Sequence, residues 1–512
     1  YHNVLEPLFF EVLNRQKEQR DKKFRTELFD TIPFLNGGLF EPHDDDFYAV
    51  DSELKFSKYF NNLAIPDDWF EGLFGVLETY NFTIDENTSS DIDLSVDPEM
   101  LGRIFENLLA EINPETGETA RKSTGSYYTP RAIVDYMVNQ SIKYYLLEKT
   151  KIDEDRIDKL VNNTFDNVEL SKDEQREIID AFSSLKVIDP ACGSGAFPMG
   201  VLQKVVSILS EVDPESQLWL DKQLEKIDDS ILKRKFEQSL SGGTVSYVHK
   251  LGLIKNSIYG VDIQEIAVEL SKLRVFLSLV VDAKVDDSEY NRGVEPLPNL
   301  EFKFVCANSL IDLPAEKFYL VDKKTGNIGT LHNELKKLRE DCFNSYGDDK
   351  ERIKKEFKEK QKQLFNVFLE WGSDKGDQKS LMLSEWDPFS NKPSSWFNPE
   401  WMFGVSDGFD IVIANPPYGV NLSEYVETIL RSFNYLDSRK NSASFFLELS
   451  SKIMKENGIT TYIVPKSLTF VDGWNKPREF ILKKNVLLSV MDISKSFENV
   501  LLEQVIVIYQ KN

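Results

Sequence analysis

From about residue 126 onward, apolar runs of four to seven residues alternate with stretches of helical spacing, and this alternation constrains the fold more than any other feature of the chain. The runs are LKVIDP, SIYGVDI, FKFVCANSL, FDIVIANPP, GITTYIVP, LLSVMDI and EQVIVIYQ. Strands alternating with helices predict an α/β fold with a mostly parallel sheet, covered on both faces. The loop between the last two runs is too short for a crossover helix, so these strands are expected to form an antiparallel C-terminal hairpin.

Residues 1–125 read differently. VLEPLFFEVLNRQKEQR places Val4, Leu5, Leu8, Phe9 and Val12 on one helical face. DPEMLGRIFENLLAEI opens on Asp97-Pro98, a good cap and first-turn pair. A mainly helical domain over 1–125 is therefore expected ahead of an α/β domain over 126–512. Charged stretches near 213–255 and 313–395 are expected as helical insertions. The second reads as a helical hairpin turning at NSYGDD. Its Lys354, Lys355, Lys358, Lys360 and Lys362 are expected on a solvated face, with a DNA-facing role as the sharper alternative. A nuclease signature of the Asp…Glu-x-Lys kind has only a weak counterpart in residues 1–125. Asp51, Glu53 and Lys55 in DSELK are the nearest match, and so short a charged triplet arises readily by chance.

The net charge of −24 argues against a phosphate-binding surface over most of the molecule and leaves room only for a local basic groove. Weak, unselective DNA binding by residues 1–512 alone is the expectation. Cys192, Cys306 and Cys342 form no disulfide framework and no zinc spacing, so no metal is expected and a reducing cytoplasm suits them. No apolar stretch approaches a membrane span, and the first residues do not read as a secretory n-region and h-region.

Chemistry concentrates at the strand ends. In VIDPACGSGAF, Gly193 and Gly195 permit positive φ and close approach of a ligand to the turn. Pro198 occupies the place where a dinucleotide fingerprint needs its third glycine, and no phosphate-loop lysine follows. Asp189 is placed to receive a cationic amino group. Asp262, ending YGVDI, suits ribose hydroxyls. Asn308, in CANSL, suits an adenine edge. Ribose and adenine without a pyrophosphate point to an adenosyl ligand such as S-adenosylmethionine. An ordinary tight βα turn is the plain alternative.

ANPPYG (414–419) ends the run FDIVI. Two prolines fix two φ angles and remove two backbone donors. The Asn415 side-chain oxygen and the Pro416 carbonyl are thereby held as acceptors for one exocyclic NH₂, with Pro417 stiffening the turn. Acceptors held in advance need little reorganisation in a transition state. Tyr418 offers a flat face for a base.

With these residues in this order, the chain resembles the amino-group DNA methyltransferases. It is most similar to the methyltransferase portion of type IIG restriction-modification and BREX-type adenine-N6 methyltransferases. The carrying segments are TGSYYTPRAIV (124–134), VIDPACGSGAF (187–197), YGVDIQEIAVELSKL (259–273), CANSLI (306–311), FDIVIANPPYG (409–419), NGITTYIVPKSL (457–468) and FENVLLEQVIVIYQ (497–510). NGGLFE and DPEMLGRIFENLL resemble that family's helical connector. The resemblance implies a Rossmann-like sheet with S-adenosylmethionine as cofactor. Tyr128, Thr129 and Pro130 would line its methionine end, and Asp189, Ala191 and Gly193 would cradle it. Asp262 and Ile263 would hold the ribose and adenine, and Asn308 and Leu310 the adenine ring. Asn415, Pro416, Pro417 and Tyr418 would hold a flipped-out adenine of double-stranded DNA, with Phe497 stacking on its other face. A monomer acting in restriction-modification or phage defence is implied, with a target-recognition domain or other chain segments outside 1–512. The family most often has Gly where Ala414 stands. The competing readings are methyl transfer to a glutamine amide of a protein, and a binding subunit that keeps the fold without catalysis.

Overall fold

The computed structural model describes residues 1, 3–35, 38, 40–41, 66–79, 81–82, 95–96, 129–164, 168–225, 244–283, 285–313, 325–369, 382–383, 385–390, 392–418, 433–437, 441–494 and 503–512. Its centre is a seven-stranded sheet of β1 (Val187–Asp189), β2 (Ile258–Asp262), β3 (Phe304–Cys306), β4 (Phe409–Ala414), β5 (Met454–Pro465), β6 (Asn485–Asp492) and β7 (Gln504–Lys511). The strands lie in the order 3-2-1-4-5-7-6. β1 to β5 pair in parallel, and β7 runs antiparallel to both β5 and β6. The expected sheet and its terminal hairpin are both present. β1 pairs with β2 on one side and β4 on the other, so the strand order reverses between β1 and β4. Open α/β sheets bind ligands at such a switch point, beyond the carboxyl ends of the strands.

The inner strands are buried on both faces, which is why they read as unbroken apolar runs, whereas the edge strand β6 leaves Val486, Leu487, Val490 and Met491 exposed. Ile411 and Ile413 of β4 join one core with Ile459 and Ile463, while Val412 and Ala414 join the other with Tyr462 and Val464. This is the two-residue alternation of a strand, seen here with apolar residues on each side. Under the sheet, buried Asp410 accepts from the Lys186 backbone N–H at 3.0 Å and from Lys455 Nζ at 2.8 Å. That carboxylate ties the starts of β1, β4 and β5 together. It fixes how their far ends line up.

Helix α1 (Arg131–Lys149) packs against β4 and β5. Its Ser141 Oγ lies 2.7 Å from Thr461 Oγ1 on β5. Helix α2 (Ala196–Val212) follows β1, α3 (Val245–Asn256) leads into β2 and α4 (Glu265–Val280) leaves it. The 213–255 stretch was expected as a charged insertion, and its last part is not one. Tyr247, Leu251, Leu253 and Ile254 of α3 are buried in the core, so α3 is the helix that delivers the chain to β2.

The 313–395 insertion contains the expected helical hairpin, α5 (Thr325–Cys342) and α6 (Gly347–Leu369). Leu331, Leu335, Leu338, Ile353, Phe357 and Leu364 bury one face of it in the second core. Of the lysines expected on a solvated face, Lys355, Lys358 and Lys362 are exposed, while Lys354 and Lys360 are half-buried. Lys354 bonds Glu41, Lys358 meets Asp387 at 2.8 Å and Lys360 meets Glu334 at 2.8 Å. Lys350 bridges Glu41 at 3.1 Å and Glu301 at 2.8 Å. Cations already facing carboxylates this close make a poor phosphate surface, which weakens the DNA-facing alternative for this hairpin.

Near the start of the chain, Leu5–Pro7 is α-helical and Leu8–Leu13 a π-helix, and the expected apolar face does not form as one, since Val12 is buried while Val4 and Phe9 are exposed. The 97–112 helix and the DSELK triplet lie outside the described residues. Among the described residues no helix is long and apolar enough to cross a membrane.

Candidate methyl-transfer site

The glycine turn sits at the switch point. Gly193 has φ +51° and Gly195 φ +84°. A Cβ on Gly195 would lie 2.9 Å from Ser271 Oγ and 3.3 Å from Ser271 Cα, so α4 packs where only glycine fits. Ser271 Oγ donates to the Gly193 carbonyl at 3.0 Å, and the buried Arg274 guanidinium donates to the Ser194 carbonyl at 3.0 Å. The turn is therefore held from beneath by two α4 side chains that reasoning from the sequence passed over. Both look like ordinary polar members of a helix, so spacing alone gave no signal for them.

Asp189, only 1% exposed, caps the turn by accepting the Ala191 N–H at 3.0 Å through Oδ1. Its Oδ2 is buried with no hydrogen-bond partner among the described residues. Burial pushes its pKa well above the usual carboxylate range, and the nearby Asp262 adds to the rise. Asp262 ends β2, where its Oδ2 accepts the Gly193 N–H and its Oδ1 accepts the Gln264 N–H, each at 2.9 Å. Burial raises its pKa, and these backbone donors oppose the rise. A carboxylate has about four lone-pair positions, so two stay open for further donors. Beside it Ile263 is 58% exposed, an apolar side chain standing free at a strand end. Asn308 Oδ1 accepts the Leu310 N–H at 3.1 Å, which shapes the turn after β3, and Leu310 packs against the second core.

The strand tip is fixed at three points. Asn415 Nδ2 donates to Thr129 Oγ1 at 3.2 Å, while Asn415 Oδ1 is buried with no partner among the described residues. Ser442 opens α7 (Ser442–Ile453), and its hydroxyl donates to the Pro417 carbonyl at 2.5 Å. Gln504 Nε2, at the start of β7, donates to the Tyr418 hydroxyl. Pro130 caps α1, which places Thr129 at the mouth of the site. One more atom was missed from sequence. The Tyr462 hydroxyl on β5 is buried without a partner among the described residues, and Tyr462 pairs in register with Ala414, immediately before Asn415. Within TTYIVP it reads as one more core residue. Asp189 Oδ2, Asn415 Oδ1 and Tyr462 Oη thus leave three unpaired buried polar atoms on β1, β4 and β5, near the carboxyl ends of adjacent strands. Tyr128 and Phe497 lie outside the described residues. A shallow cleft lined by Glu265, Glu269, Lys272, Cys306, Trp386 and Asp387 among others opens beside the ends of β2 and β3 and has no lining residue on β4.

Tyr418 is 8% exposed, so it offers a base little of its ring in this structure. Its hydroxyl is the partner of a buried amide. Tyr418→Phe should therefore destabilise the protein by about 1–3 kcal/mol through the orphaned Gln504 donor. Chemical denaturation of both proteins would check this. An unchanged midpoint would mean that Gln504 finds another acceptor.

Residues 256–498, which contain β2 to β6 and the ANPPYG tip, match the family model described as Eco57I restriction-modification methylase. Residues 1–93 match a family described as a domain of unknown function (DUF7814). The chain is 27% identical over 536 residues to RM.MjaORFECS2P of Methanocaldococcus jannaschii, named as a type II restriction enzyme and methyltransferase; the match covers 91% of this chain and 41% of that protein. A shorter match of 105 residues, 26% identical, is to the type II methyltransferase M.TthHB8I of Thermus thermophilus, covering 17% of this chain and 24% of that one. The chain thus spans less than half the length of either curated relative. Among solved structures, the type IIL restriction-modification enzyme MmeI in complex with DNA aligns with a TM-score of 0.49 and 13% identity, covering 99% of this chain and 48% of that one. Over residues 256–498, a little under half of its length, the chain is similar to the Eco57I restriction-modification methylase family.

Proposed function

We propose that this chain is the methyltransferase part of a restriction-modification enzyme, transferring a methyl group from S-adenosylmethionine to the N6 amine of a DNA adenine. The observation that carries the reading is Asn415 Oδ1, a buried acceptor with no partner among the described residues, at a strand tip stiffened by two prolines. Leaving such an atom unpaired costs about 1–3 kcal/mol, so a fold that keeps it has a use for it. An exocyclic amine supplies the missing donor.

The residues at the switch point fit the cofactor. Its ammonium group matches the unpaired Asp189 Oδ2, its ribose hydroxyls match the open positions on Asp262, and its adenine matches the exposed Ile263 and the Asn308–Leu310 turn. When bound, the cofactor supplies an electrophilic methyl group. The protein supplies orientation. Asn415 Oδ1 and the Pro416 carbonyl accept the two amine hydrogens, favouring a pyramidal nitrogen with its lone pair free. These acceptors are already in place, so the transition state needs little rearrangement around the nitrogen. Adenine must leave the duplex to reach them.

The carboxyl of Asp189 makes one consequence measurable. Burial holds its pKa up, and a bound cation would bring it down again. Cofactor binding should then release a proton and tighten as pH rises through that elevated pKa. Calorimetry in two buffers of different ionisation enthalpy reads the proton directly. Identical heats, together with an affinity that does not change as the pH is lowered, would remove Asp189 from the ammonium site.

The deciding assay incubates the full-length protein with methyl-labelled cofactor and genomic DNA, then separates the nucleosides. Label in N6-methyl-2′-deoxyadenosine is the expected result. Label in N4-methylcytosine, or in protein, would overturn the proposal.

A further inference from the structure

Asn415 has two faces to its amide, and only one of them is useful. With Oδ1 toward the substrate it accepts an amine hydrogen. Rotated by half a turn it would present an NH₂ group to another NH₂ group, donor against donor. The prolines fix the backbone of the tip but leave this side-chain rotation untouched, because the amide torsion is soft and roughly two-fold. Some other group has to set it. Among the described residues that amide is held by the bond from Nδ2 to Thr129 Oγ1 at 3.2 Å, and Thr129 is 6% exposed.

We infer that Thr129 is a positioning residue for Asn415: by accepting the Nδ2–H it keeps Oδ1 aimed at the substrate amine. This rests on the methyl-transfer reading above and adds to the cofactor contact that the family resemblance implies for Thr129. The placement of Thr129 is itself built. Pro130 caps α1, and α1 packs against β4 and β5, so the hydroxyl reaches a strand tip 286 residues away in the chain. A hydroxyl can also donate. It acts as an acceptor here when its own proton is given to another acceptor, for which a carboxylate at the methionine end of the cofactor is suited.

The test uses the full-length protein at saturating cofactor in single turnover, with cofactor affinity measured separately by calorimetry. Thr129→Val should slow methyl transfer roughly tenfold, the scale of one net hydrogen bond. Thr129→Ser keeps the hydroxyl and should restore most of the rate. The discriminating arm is Asn415→Asp, whose two carboxylate oxygens are equivalent, so no face needs choosing. In that background Thr129→Val should cost less than about threefold. An equal loss in both backgrounds would mean that Thr129 acts through the cofactor or the fold, and would overturn the inference. So would an unchanged rate in Thr129→Val. A thermal-unfolding cycle reads the contact without substrate. Thr129→Val should lower the melting temperature by about 1–3 °C in the wild-type chain and by no more than measurement error once Asn415 is alanine. Additive shifts would show that the two residues do not interact, whatever the substrate proves to be. If the wild-type protein methylates no DNA while the thermal coupling is present, the function reading fails and the contact stands.

Discussion

Asn415→Ala should lower methyl transfer by about two orders of magnitude or more while leaving cofactor affinity close to that of the wild type. The size follows from removing one hydrogen-bond partner that acts on the developing charge of the transition state. The separation of the two effects follows from the structure. Asp189 and Asp262 lie on β1 and β2, and neither bonds Asn415. Alanine also leaves the backbone of the tip supported, because Ser442 still holds the Pro417 carbonyl and Gln504 still holds the Tyr418 hydroxyl. Single-turnover transfer at saturating cofactor measures the rate, and calorimetry measures the affinity. An active alanine variant would make the tip structural and remove the main support for amine methylation.

Asp262→Ala should weaken cofactor binding by roughly one to two orders of magnitude, the scale of a lost charge-assisted contact. The sequence suggested this from the strand-end position alone. The structure gives the carboxylate a second task, because it accepts the Gly193 and Gln264 N–H groups and so braces the glycine turn against the end of β2. The variant loses a ligand contact and leaves two backbone donors to find water. Asp262→Asn should not rescue it. Its amide has one acceptor oxygen, and its NH₂ would face one of those two N–H donors. Calorimetry that found unchanged affinity in both variants would remove Asp262 from the cofactor site.

The sequence determined the sheet and where its chemistry collects. Apolar runs of strand length, separated by helix-length spacers, can be buried only with helices on both faces, and the short last connection forces an antiparallel strand. Gly193 and Gly195 are legible because a backbone with φ of +51° and +84° excludes most other residues. Asn415 is legible because two prolines after a strand are costly unless the tip must be rigid. These are local constraints, and a sequence records local constraints directly.

Only the tertiary structure decided what each site residue touches. Thr129 meets Asn415 across 286 positions, and Gln504 meets Tyr418 across 86. No periodicity encodes such pairs, because a single polar residue within an apolar run shows only its own face and not what packs against it. For the same reason Val245–Asn256 lay hidden in a charged stretch although it is a core helix, and the partners of Lys354 and Lys360 in the α5–α6 hairpin, Glu41 and Glu334, were not legible. Charge fixes the need for a partner, and packing of distant segments chooses between water and another side chain.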